Sequence, residues 1–276
     1  VLFRSQAAAM TRGKLTRETL EGIRTEMAAH PMRAADIDEL TRWDDDYAQA
    51  MRGVYAQFPE DDDVCALTAE AMVVRTPWQL WDLENRVAAE GTDTLEAIGI
   101  VEKALARIEE RGTTPHAGLL HLYIHIMEMS PTPEKALPAC YQLQPLVPDS
   151  GHLVHMPSHI YVLCGDYERT ISANVEAVEA DDRYIEFDPA VGIYTIYRLH
   201  DFHFQVYGAL FSGQYDPALR AATEMERTVK PEYLRLDHAF LVNYLEAFYG
   251  MKAHVYIRFG KWQEIIAEAS GGEGEL

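Results

Sequence analysis

The sequence predicts an all-α fold, a solenoid of antiparallel helical hairpins, on three observations. Sustained period-two alternation is missing and β-branched runs are few, so strands have no signal. Gly, Pro and Asp punctuate the chain so as to leave amphipathic segments of about 12–20 residues between short loops, the pattern of helices packed as antiparallel neighbours. Finally, Gly165-Asp-Tyr-Glu-Arg-Thr is echoed by Gly213-Gln-Tyr-Asp-Pro-Ala, each opening a helix where the glycine has closed the one before. Gly260-Lys-Trp is a third instance.

Taken in order, helices are expected over 15–29, 33–56 and 60–74, separated by Pro31 and Pro59. The next is expected over 78–89, closed by Gly91, with Trp78 and Trp81 of Pro-Trp-Gln-Leu-Trp-Asp read as helix-start aromatics packing the core and a pocket wall as the alternative. Helices over 93–111 and 117–129 follow, then 133–145 after Pro131 and Pro133, and 151–164 between Pro148 and Gly165. The remainder reads as 167–181, 190–212 up to Gly213, 215–228, 232–249 after Pro231, and 251–269. Asp44 to Asp46 and Asp61 to Asp63 read as solvated caps or loops, because calcium-loop spacing is missing. The chain reads as one domain, 1–276, with 1–14 and 270–276 loose; both ends have the look of fragment edges, so a targeting segment would not be visible.

With 48% hydrophobic residues the chain can bury a large core, and 24 Lys+Arg against 44 Asp+Glu give a net charge of −20. Such a surface repels phosphate backbones and anionic lipid heads, so neither nucleic acid nor a membrane is expected as partner. A protein partner on the repeat surface is compatible with that charge. Cys65, Cys140 and Cys164 are odd in number, far apart and without CxxC spacing, which fits a reducing, cytoplasmic setting better than a disulfide framework or a thiolate zinc site.

Histidine carries the chemical signal. Eight of the 11 His lie between positions 116 and 203, where ordinary usage gives about two. His121-Leu-Tyr-Ile-His125 puts two imidazoles on one helix face at i and i+4, and Glu128 extends that stripe with a carboxylate. His152, His155 and His159 repeat the arrangement at i, i+3 and i+7, and His200 and His203 add an i, i+3 pair. His121 to His155 is 34 residues, as is His125 to His159, one tetratricopeptide period. Residues one period apart occupy equivalent positions on neighbouring units. The pairs should therefore lie side by side on first helices, in the concave groove of a tetratricopeptide-like array, with His200 and His203 in a longer third unit. Pro157 predicts a kink in the second segment, or a helix start near Met156. Such a set on apolar faces would strand many imidazole nitrogens unless an ion or a reaction uses them; His30, His238 and His254 read instead as hydrogen-bonded core residues.

At these residues the chain resembles a group of bacterial tetratricopeptide-repeat proteins. The shared blocks read here as His116-Ala-Gly-Leu-Leu-His-Leu-Tyr-Ile-His-Ile-Met-Glu128 and Gly151-His-Leu-Val-His-Met-Pro-Ser-His-Ile-Tyr161, with a looser echo at His200-Asp-Phe-His-Phe204. The likeness runs from about Phe58 to Tyr184. It implies the repeat fold and the histidine site, and no particular activity.

Imidazole-rich sites with few carboxylates suit copper, zinc, iron or nickel rather than magnesium or calcium. The expected ligands are His116, His121, His125, His152, His155, His159, His200 and His203, more than one tetrahedral zinc needs, so two ions with about three His each would use the set. A histidine-only dinuclear site favours copper over iron, since helical di-iron sites bring several carboxylates and Glu128 is the one obvious carboxylate. The expected function is oxygen activation that oxidises a small organic molecule in the groove, with Glu128, Tyr123 and Tyr161 as catalytic candidates. Two alternatives stand beside it: a zinc or dinuclear hydrolase with Glu128 as base, and a scaffold that binds peptide or stores metal without turnover. No P-loop, nucleophile elbow, dinucleotide turn or HExxH helix is present.

Overall fold

The computed structural model describes residues 37–188, 192–237 and 239–271. The helix expected over 15–29, the loose segment 1–14, His30 and His238 lie outside the described residues. Within them the protein is helical almost throughout. Helix α1 (Ile37–Gln57) is followed by α2 (Asp62–Val73), whose N-cap Asp61 accepts the Val64 N–H while Asp62 and Asp63 sit in the first turn. An aspartate cluster at a helix start satisfies free N–H groups and complements the positive end of the dipole.

The expected helix over 78–89 is instead a short hairpin, β1 (Trp81–Asp82) paired antiparallel with β2 (Val87–Ala88). Two local facts override the helical pattern. The Asp82 carboxylate accepts the backbone N–H of Glu84 and of Asn85, a turn-forming bond that competes with helix. Trp78 and Arg86 both adopt φ 58°, outside helical geometry.

Next come α3 (Thr94–Arg111), α4 (Ala117–Met127), a 3₁₀ turn at Pro133–Ala136 and α5 (Leu137–Leu143). The expected helix over 151–164 is two helices, α6 (Gly151–His155) and α7 (Ser158–Leu163). Pro157 is the junction, because it has no N–H for the carbonyl one turn back. Then follow α8 (Tyr167–Phe187), capped by Asp166, and α9 (Ile193–Ser212), α10 (Tyr215–Thr228), α11 (Ala239–Tyr249), α12 (Met251–Arg258) and α13 (Trp262–Gly271). Gly165 and Gly213 take φ 78° and 75° at the ends of α7 and α9, left-handed conformations that make glycine the natural stop there. Gly260, at φ 66°, likewise splits the expected 251–269 helix, and residues 232–249 carry a 3₁₀ turn at Tyr233–Arg235 before α11.

Consecutive helices pack on one another: α2 on α3, α8 on α9, α9 on α10. The apolar interior forms two clusters. One gathers residues from Cys65 to Tyr161, including Met72, Leu119, Ile126 and Ile160; the other runs from Val178 to Val255, including Leu199, Phe202 and Met225. Helices α4, α6 and α7 feed the first cluster and α9 the second, so residues presented by these four helices meet where the clusters adjoin. Cys65, Cys140 and Cys164 are all free thiols. Among the described residues no helix is long and apolar enough to cross a membrane.

A candidate metal centre of two histidine triads

Helix α4 is apolar nearly all round, with Leu119, Leu120, Ile124 and Ile126 buried, and its 3.6-residue repeat places His121 and His125 on one flank. The i, i+4 pair meets His152 of α6: the His121 and His152 Nε2 atoms are 3.1 Å apart. The break at Pro157 lets α7 set His159 against His155, whose Nε2 atoms are 2.9 Å apart, and α9 brings His200 onto the same pair, its ring 4.7 Å from that of His155. Two triads result, His121–His125–His152 and His155–His159–His200, each with ligand atoms within 4.8 Å of one another. They adjoin, the rings of His125 and His159 being 5.8 Å apart. Two nitrogens bound to one ion at about 2.0–2.1 Å lie about 2.9–3.4 Å apart for coordination angles between square and tetrahedral. Both Nε2 contacts fall in that range. The described donors are therefore close enough to hold two metal ions.

Hydrogen bonds behind the second triad fix its tautomers. Asn174 Nδ2 donates to the Thr170 carbonyl, which turns its Oδ1 toward His155 Nδ1. Asp201 Oδ1 lies 3.0 Å from the same nitrogen. Both neighbours offer acceptors, so His155 carries its proton on Nδ1 and a lone pair on Nε2. Glu128 does the same for His159, with Oε2 2.5 Å from its Nδ1. Oε1 of that carboxylate is 3.0 Å from His125 Nδ1, so Glu128 ties the two triads together. With both Nδ1 positions protonated, the Nε2 lone pairs of His155 and His159 face each other. A cation, either a proton or a metal ion, is what reconciles them.

Burial decides against the proton. It holds His155 well below its ordinary pKa, and the adjacent His159 pushes the same way. His121 and His152 are depressed by burial first and by neighbouring imidazoles second, and so is His200. Burial opposes ionisation of Glu128, yet the hydrogen bonds from His125 and His159 outweigh it and hold the carboxyl below the usual range. The pocket thus sets four imidazoles that resist protonation, His121, His152, His155 and His200, beside one anion, a donor set for a soft or borderline divalent cation.

Deeper still, Asp181 sits beside Asp201. Burial, then the Asp201 charge, pushes Asp181 up to about 9, and burial raises Asp201 as well. The protonated Asp181 carboxyl is then the donor that faces the Asp201 carboxylate.

Other expected site residues lie elsewhere. His116 is the N-cap of α4: its Nδ1 accepts the Leu119 N–H and its Nε2 is 2.9 Å from Asp63. His203 is outside both triads, packed on Tyr207 and Phe248, with burial lowering it to about 4. Tyr123 donates to Glu102 and Tyr161 to Gln144, so both hydroxyls are directed to partners outside the triads. His254 is exposed, against the core role expected of it. Trp78 is 81% exposed, and its expected place in the core is not what the structure gives. The residues that sequence reasoning missed are Asn174 and Asp201; Tyr197, near the histidines in sequence, stacks on His152 at 4.6 Å. Asp201 was visible as the acid between His200 and His203; Asn174 carries no local signal. Compared with protein-family models, curated proteins and solved structures, the chain matches none of them.

Proposed function

We propose that the chain is a metal-dependent oxidoreductase whose two triads hold a pair of transition-metal ions, copper in preference to iron or zinc, and that it uses dioxygen to oxidise a small organic molecule. The observation that carries this reading is the 2.9 Å approach of the His155 and His159 Nε2 atoms, with acceptors at both Nδ1 positions. The all-imidazole ligand sets favour copper, since helical di-iron sites are rich in carboxylates, whereas among the described residues Glu128 is the carboxylate shared by the triads and it contacts Nδ1 atoms. Copper or iron, when bound, supplies the change of oxidation state that dioxygen chemistry needs: dioxygen accepts the electrons that the substrate loses.

The remaining work falls to this chain's own groups. Asn174 and Asp201 hold the proton on His155 Nδ1 and so keep Nε2 available. Glu128 does so for His125 and His159 at once. Phe204, in contact with His155, His159 and His200, closes one side of the second triad with a ring that carries no ligand atom.

The 34-residue offset of the two HxxxH pairs supports a tetratricopeptide-like arrangement of the surrounding hairpins, with the histidines in its groove. A second reading, a zinc or dinuclear hydrolase, is favoured by one observation: an ionised carboxylate, Glu128, stands between both triads. Its two oxygens already receive histidine N–H groups, which makes it a poorer base than that reading requires. Protein loaded with copper, iron or zinc in turn separates the readings. Oxygen consumption and an oxygen-dependent optical change with copper or iron, and none with zinc, is the expected result; ester or phosphoester hydrolysis with zinc alone would replace it with the hydrolase.

A further inference from the structure

Beside the first triad lies a cavity of about 140 Å³ that reaches His125 and Glu128. Trp78, Trp81, Leu80 and Met129 form most of its apolar wall. Its shape is set by the hairpin that replaces the expected helix. Trp81 is pinned by its indole N–H, which donates to the Ile126 carbonyl at 2.6 Å. Leu80 is anchored through its carbonyl, which accepts the Thr94 hydroxyl at 2.8 Å and the Ala89 N–H at 3.1 Å. The Arg86 guanidinium, from the same hairpin, donates to the Pro131 carbonyl at 3.1 Å, just beyond α4.

Trp78 stands at the rim, 81% exposed, on backbone with φ 58°. For a bulky residue that conformation is strained and persists only where the surroundings impose it, a situation that recurs at ligand clamps. An indole held in solvent at such a cost has no packing role in the core. It lines the cavity together with the fixed Trp81.

We propose that this cavity is a binding site for an uncharged, single-ring aromatic molecule with a hydroxyl donor, a phenol, and that it delivers such a molecule to the first triad. The size fits: an apolar cavity of about 150 Å³ accommodates one benzene ring. Two indoles offer faces on which a ring stacks or packs edge-on. The polar end of the cavity is Glu128, whose carboxylate oxygens lie 3.0 Å from His125 Nδ1 and 2.5 Å from His159 Nδ1 and keep lone pairs to accept a hydroxyl. The net charge of −20 disfavours anions. As a substrate site the proposal rests on the metal-centre reading; as a pocket for phenols it does not.

The test therefore uses metal-stripped and copper-loaded full-length protein, titrated with phenol, 4-hydroxybenzoate and cyclohexanol while the indole N–H signals of Trp78 and Trp81 are followed by NMR. Phenol should bind both forms and shift both signals. Cyclohexanol, without a ring face, and 4-hydroxybenzoate, with a carboxylate, should bind at least about fivefold more weakly. Trp78→Ala, at an exposed position, should weaken phenol by a similar factor, and Trp78→Phe should restore most of it. Phenol binding to the stripped protein without turnover by the copper form would keep the pocket and overturn its role as substrate site. Equal affinity for all three compounds, no binding of phenol to either form, or binding indifferent to Trp78→Ala would overturn the pocket itself, whatever the metal content.

Discussion

His155 and His159 present their Nε2 atoms to each other at 2.9 Å while acceptors occupy both of their Nδ1 positions. Two Nε2 atoms so arranged call for a shared cation, and burial makes a proton on His155 an expensive remedy. A bound ion removes the conflict and gains two ligands in doing so. Removing either member should therefore empty the second triad and spare the first: His155→Ala and His159→Ala each bring metal content from about two equivalents toward about one, whereas His121→Ala empties the first triad. Elemental analysis with circular dichroism as a folding control reads this out; unchanged occupancy in all three variants contradicts it.

Asn174 acts on the ion through His155. Asn174→Leu keeps the approximate volume and removes the acceptor, so the His155 ring loses one of the two partners that fix it. Metal affinity of the second triad should fall about 10–100-fold, the usual cost of losing a group that orients a histidine ligand. Competition with a chelator measures it. Affinity unchanged within about twofold would mean that Asp201 alone orients His155.

Glu128→Gln tests the tie between the triads. The amide keeps one acceptor and puts an NH₂ donor against a second histidine N–H, so either His125 or His159 must lose its partner or change tautomer. We expect weaker metal binding at both triads, by about tenfold or more in at least one.

Acid should destabilise the metal-stripped protein. Burial, then neighbouring imidazoles, holds His121, His152, His155 and His200 below their ordinary pKa. Below about 6.5 the unfolded chain takes up protons that the folded chain refuses, so their contribution is full above that pH and is lost as pH falls. Asp181 works in the opposite sense. Its folded value, raised to about 9, gives a contribution that is full below the ordinary carboxyl range and lost as pH rises through about 9. Four histidines outweigh the Asp181–Asp201 pair, so Tm should drop by several degrees between about pH 7 and pH 5.5. A Tm that is equal or higher at the lower pH contradicts the neutral-imidazole account.

Gly151 permits the close approach of α6 to α8. A Cβ there would lie 2.1 Å from Asp181 Oδ1 and 2.8 Å from the Ala177 carbonyl oxygen. Gly151→Ala should cost on the order of 1–3 kcal/mol, the range for overpacking a filled interior, and should also disturb His152 and His155 on the same short helix. Denaturant unfolding measures the first effect and metal content the second; a stability change under about 0.5 kcal/mol would show that α6 moves freely against α8.

Much of the centre was legible in the sequence because helical spacing is rigid. His121 and His125 had to share a face, and His155 and His159, again four apart, come together in the second triad. The exchange of members was not legible: His152 completes the first triad and His200 the second, a pairing set by the break at Pro157 and by how α9 packs. Asn174 and Asp201 became visible only once helices α6, α8 and α9 were together. His116 shared the histidine density but caps a helix, because density does not encode direction. The 78–89 segment failed for a local reason: two Asp82 turn bonds and two left-handed residues outweigh an amphipathic pattern. The pocket-wall alternative for Trp78 and Trp81 was legible; its position next to His125 was not.

The most direct test of the metal centre is anomalous scattering from crystals of protein purified without chelator, recorded across the copper, iron and zinc edges. The account predicts two peaks, one within about 2.0–2.3 Å of the His155 and His159 Nε2 atoms and one among His121, His125 and His152, strongest at the copper edge. No peak at either triad, with less than about half an equivalent of copper, iron or zinc per chain in the same preparation, would contradict it.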